Sequence, residues 1–358
     1  MQPTVYFIAT KNDDSTNMVQ QKFMQLYRES RAHTCSESGD LAALKIHFGE
    51  EKNTTHIQPE LLKPFIAELK RNGVKPFFTD TCVLYRSQRS DAVSHLLLAE
   101  KHGFSMQHTG APVVIADGLR GRNEIDVAIP GQLFTKVSIA TEAVISNAMF
   151  VFTHVTGHMA SGLGGALKNL GMGLASRKGK LRQHSSVSPS IDVAKCNGCG
   201  QCLLWCPENA ITMNGSVAVI NRKICIGCGE CLTVCHFGAV KYNWQTSSQD
   251  LQRKMTEHAL GAIYNKRDKT YFFNFLTNIT KDCDCMTRAQ RPMMDDIGIL
   301  AGSDPVAIDK ASLDLIERHA GKSLVSMTYD SLDPLIQMQH GERIGLGSMT
   351  YRLVELNQ

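Results

Sequence analysis

Eight cysteines between positions 196 and 235 give this chain its first chemistry. They form two runs, Cys196-x2-Cys199-x2-Cys202-x3-Cys206 followed by Pro207, and Cys225-x2-Cys228-x2-Cys231-x3-Cys235, offset by 29 residues. Gly198 and Gly227, Gly200 and Gly229, Leu203 and Leu232, and Ala210 and Ala239 correspond as well, so the module is an internal duplication. Three thiolates at two-residue intervals wrap one corner of an iron–sulfur cubane, and the fourth cysteine crosses to the other cluster. The spacing therefore predicts two [4Fe–4S] clusters. Cys196, Cys199, Cys202 and Cys235 hold one; Cys206, Cys225, Cys228 and Cys231 hold the other. Zinc also binds Cys-x2-Cys pairs but has no need of eight cysteines in a crossing pattern. His236 stands where the first run has Pro207, which allows the two clusters different potentials. Side by side, two such clusters pass electrons singly between a donor and an acceptor.

Elsewhere, polar residues collect where strands should end, the usual place for a ligand in an α/β sheet. From Leu44 to Glu50 the apolar Leu44, Ile46 and Phe48 share one face of an extended chain, leaving Lys45 and His47 on the other. Thr79-Asp80-Thr81 and Asp117-Gly118 also follow apolar runs, with helix capping as the alternative role. The stretch from His154 to His184 is richer: His154-x3-His158, Ser161, Gly164-Gly165, Lys168-Asn169, Gly171, Gly173 and His184. Its glycines match neither a P-loop nor a G-x-G-x-x-G fingerprint. His154 and His158, four apart, could share a helix turn and a metal, or be structural. In an extended Asp282-Cys283-Asp284-Cys285 the two thiols point one way and the carboxylates the other. A disulfide across one residue is disfavoured by geometry, so a metal, a third redox site or free thiols are the expectations for Cys283 and Cys285. Cys35 and Cys82 are isolated and receive no role.

The elements that must position these groups alternate. Strands are expected at Val5–Thr10, Leu41–Phe48, Pro76–Thr81, Pro112–Asp117, Ala148–His154, Thr270–Thr280 and Ile297–Ala301. Helices are expected at Thr16–Ser30, Pro59–Arg71, Asp91–His102, Ala140–Asn147, Ser248–Tyr264 and from Pro305 to Arg318, capped by Asp304. Alternation of this kind predicts an α/β fold, a mostly parallel sheet with helices on both faces, interrupted by an α+β two-cluster ferredoxin insert. The expected organisation is a first host part over 1–187, the ferredoxin module over 188–245, and a completing host part over 246–358. Basic residues Arg177, Lys178, Lys180 and Arg182 and a Ser/Pro stretch, Ser185–Ser190, lead into the module.

Composition narrows the partners. The 358 residues are 43% hydrophobic, enough for a sizeable core, and no run approaches the ~20 apolar residues that span a bilayer. No secretory signal is visible at Met1–Thr10, so the expected location is the cytoplasm. The formal charge of +4 falls to about zero once two tetrathiolate-bound clusters are counted, which argues against a nucleic-acid partner and leaves a redox partner protein or a small-molecule substrate.

Several of these segments resemble a known family. They are Gly39-Asp40-Leu41 with Lys45-x-His47-Phe48-Gly49-Glu50, Thr79-Asp80-Thr81, the run from Ala116 to Gly121, the run from Gly164 to Gly173, Asp282-Cys283-Asp284-Cys285, and the run from Asp304 to Asp309. Together they are similar to the iron–sulfur centre proteins of domain-of-unknown-function family 362, a likeness that covers nearly the whole chain. It implies a prokaryotic, anaerobic source and supplies no reaction. A weaker likeness is to lactate racemase, a nickel-pincer-nucleotide enzyme. The spacing of His158, Gly164-Gly165, Lys168 and His184 is similar to its cofactor segment. That resemblance implies Lys168 as the carrier of a nucleotide-type cofactor, His184 as a metal ligand, His158 as acid/base, and Asp80 in a substrate loop. This chain departs from the racemase in carrying the ferredoxin runs.

The leading functional expectation is an iron–sulfur oxidoreductase. Its clusters exchange electrons with a host site drawn from Lys45, His47, Asp80, His154, His158, Lys168, His184, Cys283 and Cys285. The alternatives are a non-enzymatic electron carrier and a metal-cofactor racemase-like enzyme.

Overall fold

The computed structural model describes residues 2–85, 87–184, 189–206, 208–225, 227, 229–241 and 247–357. Eight strands build the central sheet: β1 Thr4–Ala9, β2 Leu41–Lys45, β3 Lys75–Asp80, β4 Val113–Ile115, β5 Ala148–His154, β6 Thr270–Leu276, β7 Gly298–Gly302 and β8 Arg352–Glu355. Their order across the sheet is β8-β1-β7-β6-β5-β2-β3-β4. Every neighbouring pair is parallel except those of β7, which runs antiparallel to both β1 and β6. The fold is thus α/β with a mostly parallel sheet, and strands from both sides of the cysteine module share it. In particular β6, which follows the module, pairs directly with β5, which precedes it.

Period-two alternation divides the strands' side chains between two apolar layers. On β5, Met149 and Val151 enter one layer and Phe150 and Phe152 the other; on β6, Phe272 and Leu276 oppose Phe273 and Phe275. The Phe-rich layer packs against helices Thr16–Glu29 and Lys63–Arg71 through Phe23, Tyr27, Phe65 and Leu69. The opposite layer takes helices Ala166–Gly171, Ser248–Ile263 and Pro305–Ala320. Helix starts follow the capping chemistry: Ser15, Asp91, Ser247 and Asp304 each accept a backbone N–H with their side chains. Asp309, further along the last helix, turns inward and accepts the amides of Ala166 and Leu167 at 2.7 and 2.9 Å. Burial pushes its carboxyl up to about 6.

The structure departs from the sequence reading at several elements. The expected strand at Ile297–Ala301 exists as β7 but runs against its neighbours. A hairpin, Glu124–Ala128 with Lys136–Ala140, lies outside the sheet where no element was expected. The expected helix at Ala140–Asn147 shrinks to Thr141–Ile145. No helix among the described residues is long and apolar enough to cross a membrane.

The cysteine module forms a separate small layer of two hairpin-like pairs, Ser190–Ile191 with Val240–Lys241 and Ile211–Asn214 with Val217–Ile220. Two short helices, Gln201–Leu204 and Glu230–Thr233, begin after glycines in the left-handed region, Gly200 at φ 72° and Gly229 at φ 74°. The duplication in the sequence is therefore a duplication in backbone shape.

Candidate active site and cysteine module

The carboxyl ends of β3, β2, β5 and β6, four adjacent strands, open onto one cavity of about 230 Å³. Lys45, His47, Asp80, His154, His158, Lys168, His184, Cys283 and Cys285, scattered over 240 residues of sequence, all line it. Lys45 is the last residue of β2, Asp80 the last of β3 and His154 the last of β5. Strand alternation delivers the first as expected, with Ile46 and Phe48 buried in the Phe-rich layer.

Asp80 is the electrostatic centre of one wall. Its carboxylate lies 3.1 Å from Lys45 Nζ and 2.7 Å from Arg89. All three are buried, with relative exposures of 1%, 0% and 4% for Asp80, Lys45 and Arg89. Burial pushes the Asp80 carboxyl up, but Lys45 and Arg89 outweigh it and hold it well below the usual carboxylate range. Burial lowers Lys45, with Asp80 opposing. Arg89 also meets Glu50 at 3.3 Å and donates to His47 Nε2 at 2.7 Å and His95 Nε2 at 3.2 Å. With burial and that guanidinium against it, His47 is held neutral, well below its ordinary value. Lys45 donates to Asn169 Oδ1 at 2.6 Å, and Asn169 in turn donates to the Phe152 carbonyl. Lys45 reaches that position because Gly173 has no side chain; a Cβ there would sit 2.8 Å from Lys45 Nζ.

A neighbouring stretch of wall carries a second ion pair. His154 Nδ1 donates to Asp284 at 2.9 Å and its Nε2 donates to the Asn278 carbonyl at 3.2 Å. Burial disfavours the imidazolium, yet Asp284 more than restores it, so the ring titrates above its ordinary value. Asp284, disfavoured as an anion by burial, is brought far below its own by His154. Asn53 and Thr55 complete its hydrogen bonds.

Less committed groups also line the cavity. Lys168 Nζ donates to no described residue, and burial with Arg89 nearby lowers it to about 8. Lys180 falls to about 8 through burial and donates to Thr81 Oγ1 and the Ala175 carbonyl. Burial and Lys180 take His184 down to about 4. His158 Nδ1 meets the Ser161 hydroxyl at 2.8 Å and the Ser161 and Ala160 amides at 3.1 and 3.3 Å. Burial and Lys168 keep that ring neutral.

Two sequence expectations need correction. His154 and His158 share no helix turn: His154 ends β5 and His158 ends the short strand Thr156–His158, paired with Gly162–Gly164. The local glycines let the chain double back there instead of coiling. Nor does Asp282–Cys285 stay extended with free thiols. The chain turns, with the Met286 amide donating to the Cys283 carbonyl, and Cys283 and Cys285 are joined as a disulfide, their Cα atoms 5.3 Å apart. Each aspartate anchors that turn from a different side, Asp284 to His154 and Asp282 to Tyr329 and Arg288. A ring nitrogen of His158 and both sulfurs lie within 4.8 Å of one another, the only such His/Cys/Asp/Glu donor group among the described residues.

In the module, Cys196, Cys199, Cys202 and Cys235 surround one small cavity with Gly198, Gly200, Ala239 and Val240. Cys206, Cys225 and Cys231 belong to the other set, and Cys228 lies outside the described residues. The Ala210 and Ala239 amides donate to Cys206 and Cys235 Sγ, each at 3.2 Å, and the Ala218 amide to Cys196 Sγ at 3.5 Å. Such N–H···S contacts tune cluster thiolates. Among the described residues the module's buried apolar cluster is small, Cys202, Ile211, Ala218, Cys231 and Val240 with partly buried neighbours such as Leu203 and Ile220, the kind of core that small metal-binding units supplement with a metal. Four thiols around one cavity, amides aimed at sulfur and a small core all fit a cluster.

The module also touches the cavity's wall. A Cβ on Gly229, inside the second cysteine run, would lie 2.4 Å from Leu181 Cδ1. Leu181 belongs to helix Arg177–His184, which gives Lys180 and His184 to the cavity.

Residues 42–314 match the family model described as Domain of unknown function (DUF362). The chain belongs to the DUF362 family. Among solved structures, this DUF362 chain is similar to the lactate racemase apoprotein from Thermoanaerobacterium thermosaccharolyticum, at 11% identity and a TM-score of 0.42. The likeness covers 85% of this chain and 55% of that one. A structural-genomics protein from Thermotoga maritima is similar at 10% identity and a TM-score of 0.41, covering 89% of this chain and 61% of that one. The chain thus spans somewhat over half the length of each. No curated protein matches it.

Arg89, Tyr85, Lys180 and Asn169 line the cavity without having been singled out for it from the sequence. Arg89 sits in a short loop with no motif and no periodicity, so nothing local marks it. Asn169 and Lys180 lay inside segments already noted, where a count of polar groups facing β5 would have found them.

Proposed function

We propose that this DUF362 chain is an iron–sulfur oxidoreductase in which two [4Fe–4S] clusters exchange electrons with the cavity at the strand ends. The observation that carries this reading is the packing of the second cysteine run, at Gly229, on the helix that lines the cavity with Lys180 and His184. Cys196, Cys199, Cys202 and Cys235 would hold one cluster and Cys206, Cys225, Cys228 and Cys231 the other. When bound, such clusters take up and release single electrons. The cavity supplies what a small anionic substrate needs. Lys45, Arg89, Lys168, Lys180 and protonated His154 outnumber Asp80 and Asp284. Arg89 and Lys45 are locked by Asp80, whereas Lys168 is at liberty to meet a carboxylate and to hold or release a proton near neutral pH. A cavity that gathers so many ionisable side chains is more than a simple electron carrier requires.

The test is anaerobic reconstitution with iron and sulfide. About eight irons per chain and an electron paramagnetic resonance signal on reduction are expected. Reoxidation of the reduced clusters by a panel of small carboxylates should be lost in Lys168→Met. An iron content near zero, or reoxidation indifferent to both panel and variant, overturns the reading.

One observation favours a second reading: His158, Lys168 and His184, spaced as in the racemase resemblance, line the same cavity. A racemase-like enzyme would carry a covalent adduct on Lys168 and a transition metal at His184. Intact-mass analysis of native protein decides it, since an unmodified Lys168 excludes it.

A further inference from the structure

The Cys283–Cys285 pair lies in the wall of the cavity whose lining helix, Arg177–His184, touches the cysteine module at Gly229. Cys283 is buried and packs its Cβ against the bare backbone of Gly164, while Cys285 is partly exposed. The loop that carries them is fixed from outside by Asp284 on His154 and Asp282 on Arg288, and the Glu50 amide donates to the Asp284 carbonyl. Opening the sulfur–sulfur bond therefore need not move the loop. His158 lies within reach of both sulfurs. Its Nδ1 is taken up by the Ser161 and Ala160 amides and the Ser161 hydroxyl, so the ring is held in place beside the two sulfurs.

We propose that Cys283–Cys285 is a redox-active disulfide and the internal acceptor of the clusters' electrons. The inference rests on the oxidoreductase reading and names where its electrons go. Two electrons arrive singly from a low-potential one-electron carrier by way of the two clusters. They break the sulfur–sulfur bond, and two protons from solvent, passing through the cavity beside His158 and Lys168, complete two thiols. The pair then holds two electrons and two protons together, which converts one-electron delivery into the two-electron form that most reductions of small organic anions need.

Thiol trapping in the reconstituted holoprotein tests it. Reduced methyl viologen is added anaerobically at two equivalents per chain, the mixture is quenched with iodoacetamide, and the peptides are mapped by mass. Both Cys283 and Cys285 should be unlabelled beforehand and labelled afterwards, with the cluster resonance decaying as the thiols appear. In Cys283→Ser the clusters should reduce and hold their electrons; Cys285→Ser replaces it if that variant does not fold. Clusters that reduce and stay reduced in the unsubstituted chain, with the pair unlabelled, overturn this inference and leave the oxidoreductase reading standing. So does labelling before any donor is added, or equally fast labelling in a chain stripped of iron. A chain that assembles no cluster overturns both.

Discussion

At the scale of single residues, the cavity is organised by two buried ion pairs with different jobs. Asp80 has two cations on it, Lys45 and Arg89, so removing it leaves Lys45 without a carboxylate and Arg89 with Glu50 alone. Leaving a buried charge without its partner costs about 3–5 kcal/mol. Asp80→Ala is expected to lower stability by that order in a urea titration, and an unchanged midpoint would mean the cations find other partners. The His154–Asp284 pair instead ties stability to pH. Asp284 titrates below its ordinary value, so its contribution is complete above about pH 4 and disappears as pH falls through the folded value. His154 titrates above its ordinary value, so its contribution is complete below about pH 6.5 and disappears as pH rises through the folded value. Together they stabilise the chain most between those limits. Asp284→Asn should abolish the decline in melting temperature that the unsubstituted chain shows from mildly acid to alkaline pH. An identical alkaline slope in both proteins would place the titrating group elsewhere.

At the scale of elements, glycines set how closely the cavity's walls approach. A Cβ at Gly171 would lie 2.0 Å from the Met255 carbonyl, on the helix that packs against Ala166–Gly171. Gly171→Ala must push those helices apart, and overpacking of this kind costs about 1–3 kcal/mol. Gly302→Ala, whose nearest neighbour would be at an ordinary 3.5 Å, should be close to neutral in the same denaturation assay. Equal effects at the two sites would refute the packing argument. Element by element, the sequence shows what is periodic and hides what is not. β2 was legible because its alternation and following glycine are local signals, and Lys45 came with it; β5 was legible as a short buried apolar run. The antiparallel direction of β7 was not, because direction is a property of pairing, and the apolar run in β7 reads the same either way. His154 and His158 were placed on a helix because spacing alone cannot tell a turn of helix from two short strands doubling back through glycine. The Cys283–Cys285 bond was missed for the same reason: the argument against it assumed an extended chain, and the turn closed by Met286 removes that assumption.

At the scale of the whole molecule, the host and the module draw stability from different sources. The host encloses an eight-stranded sheet between two large apolar layers, whereas the module's buried cluster among the described residues is small, Cys202, Ile211, Ala218, Cys231 and Val240 with partly buried neighbours such as Leu203 and Ile220. Chain entropy costs on the order of 1–2 kcal/mol per ordered residue, so on the proposed cluster reading metal binding supplies most of the module's folding free energy. Stripping iron with a chelator under reducing conditions should then have a divided effect. Amide hydrogen exchange over 189–206 and 208–225 should rise to the rate of an unfolded chain. Exchange in β5 and β6 should stay slow, because neither strand pairs with the module. Helix Arg177–His184 is the informative boundary. It touches the module through Leu181 and the cavity through Lys180 and His184, so its amides should show intermediate loss of protection. If that helix keeps full protection when the module unfolds, the contact at Gly229 is incidental, and the proposed electron route to the cavity loses its main support. If the host unfolds with the module, the clusters are a structural keystone of the whole chain and the division drawn from the two cores is wrong.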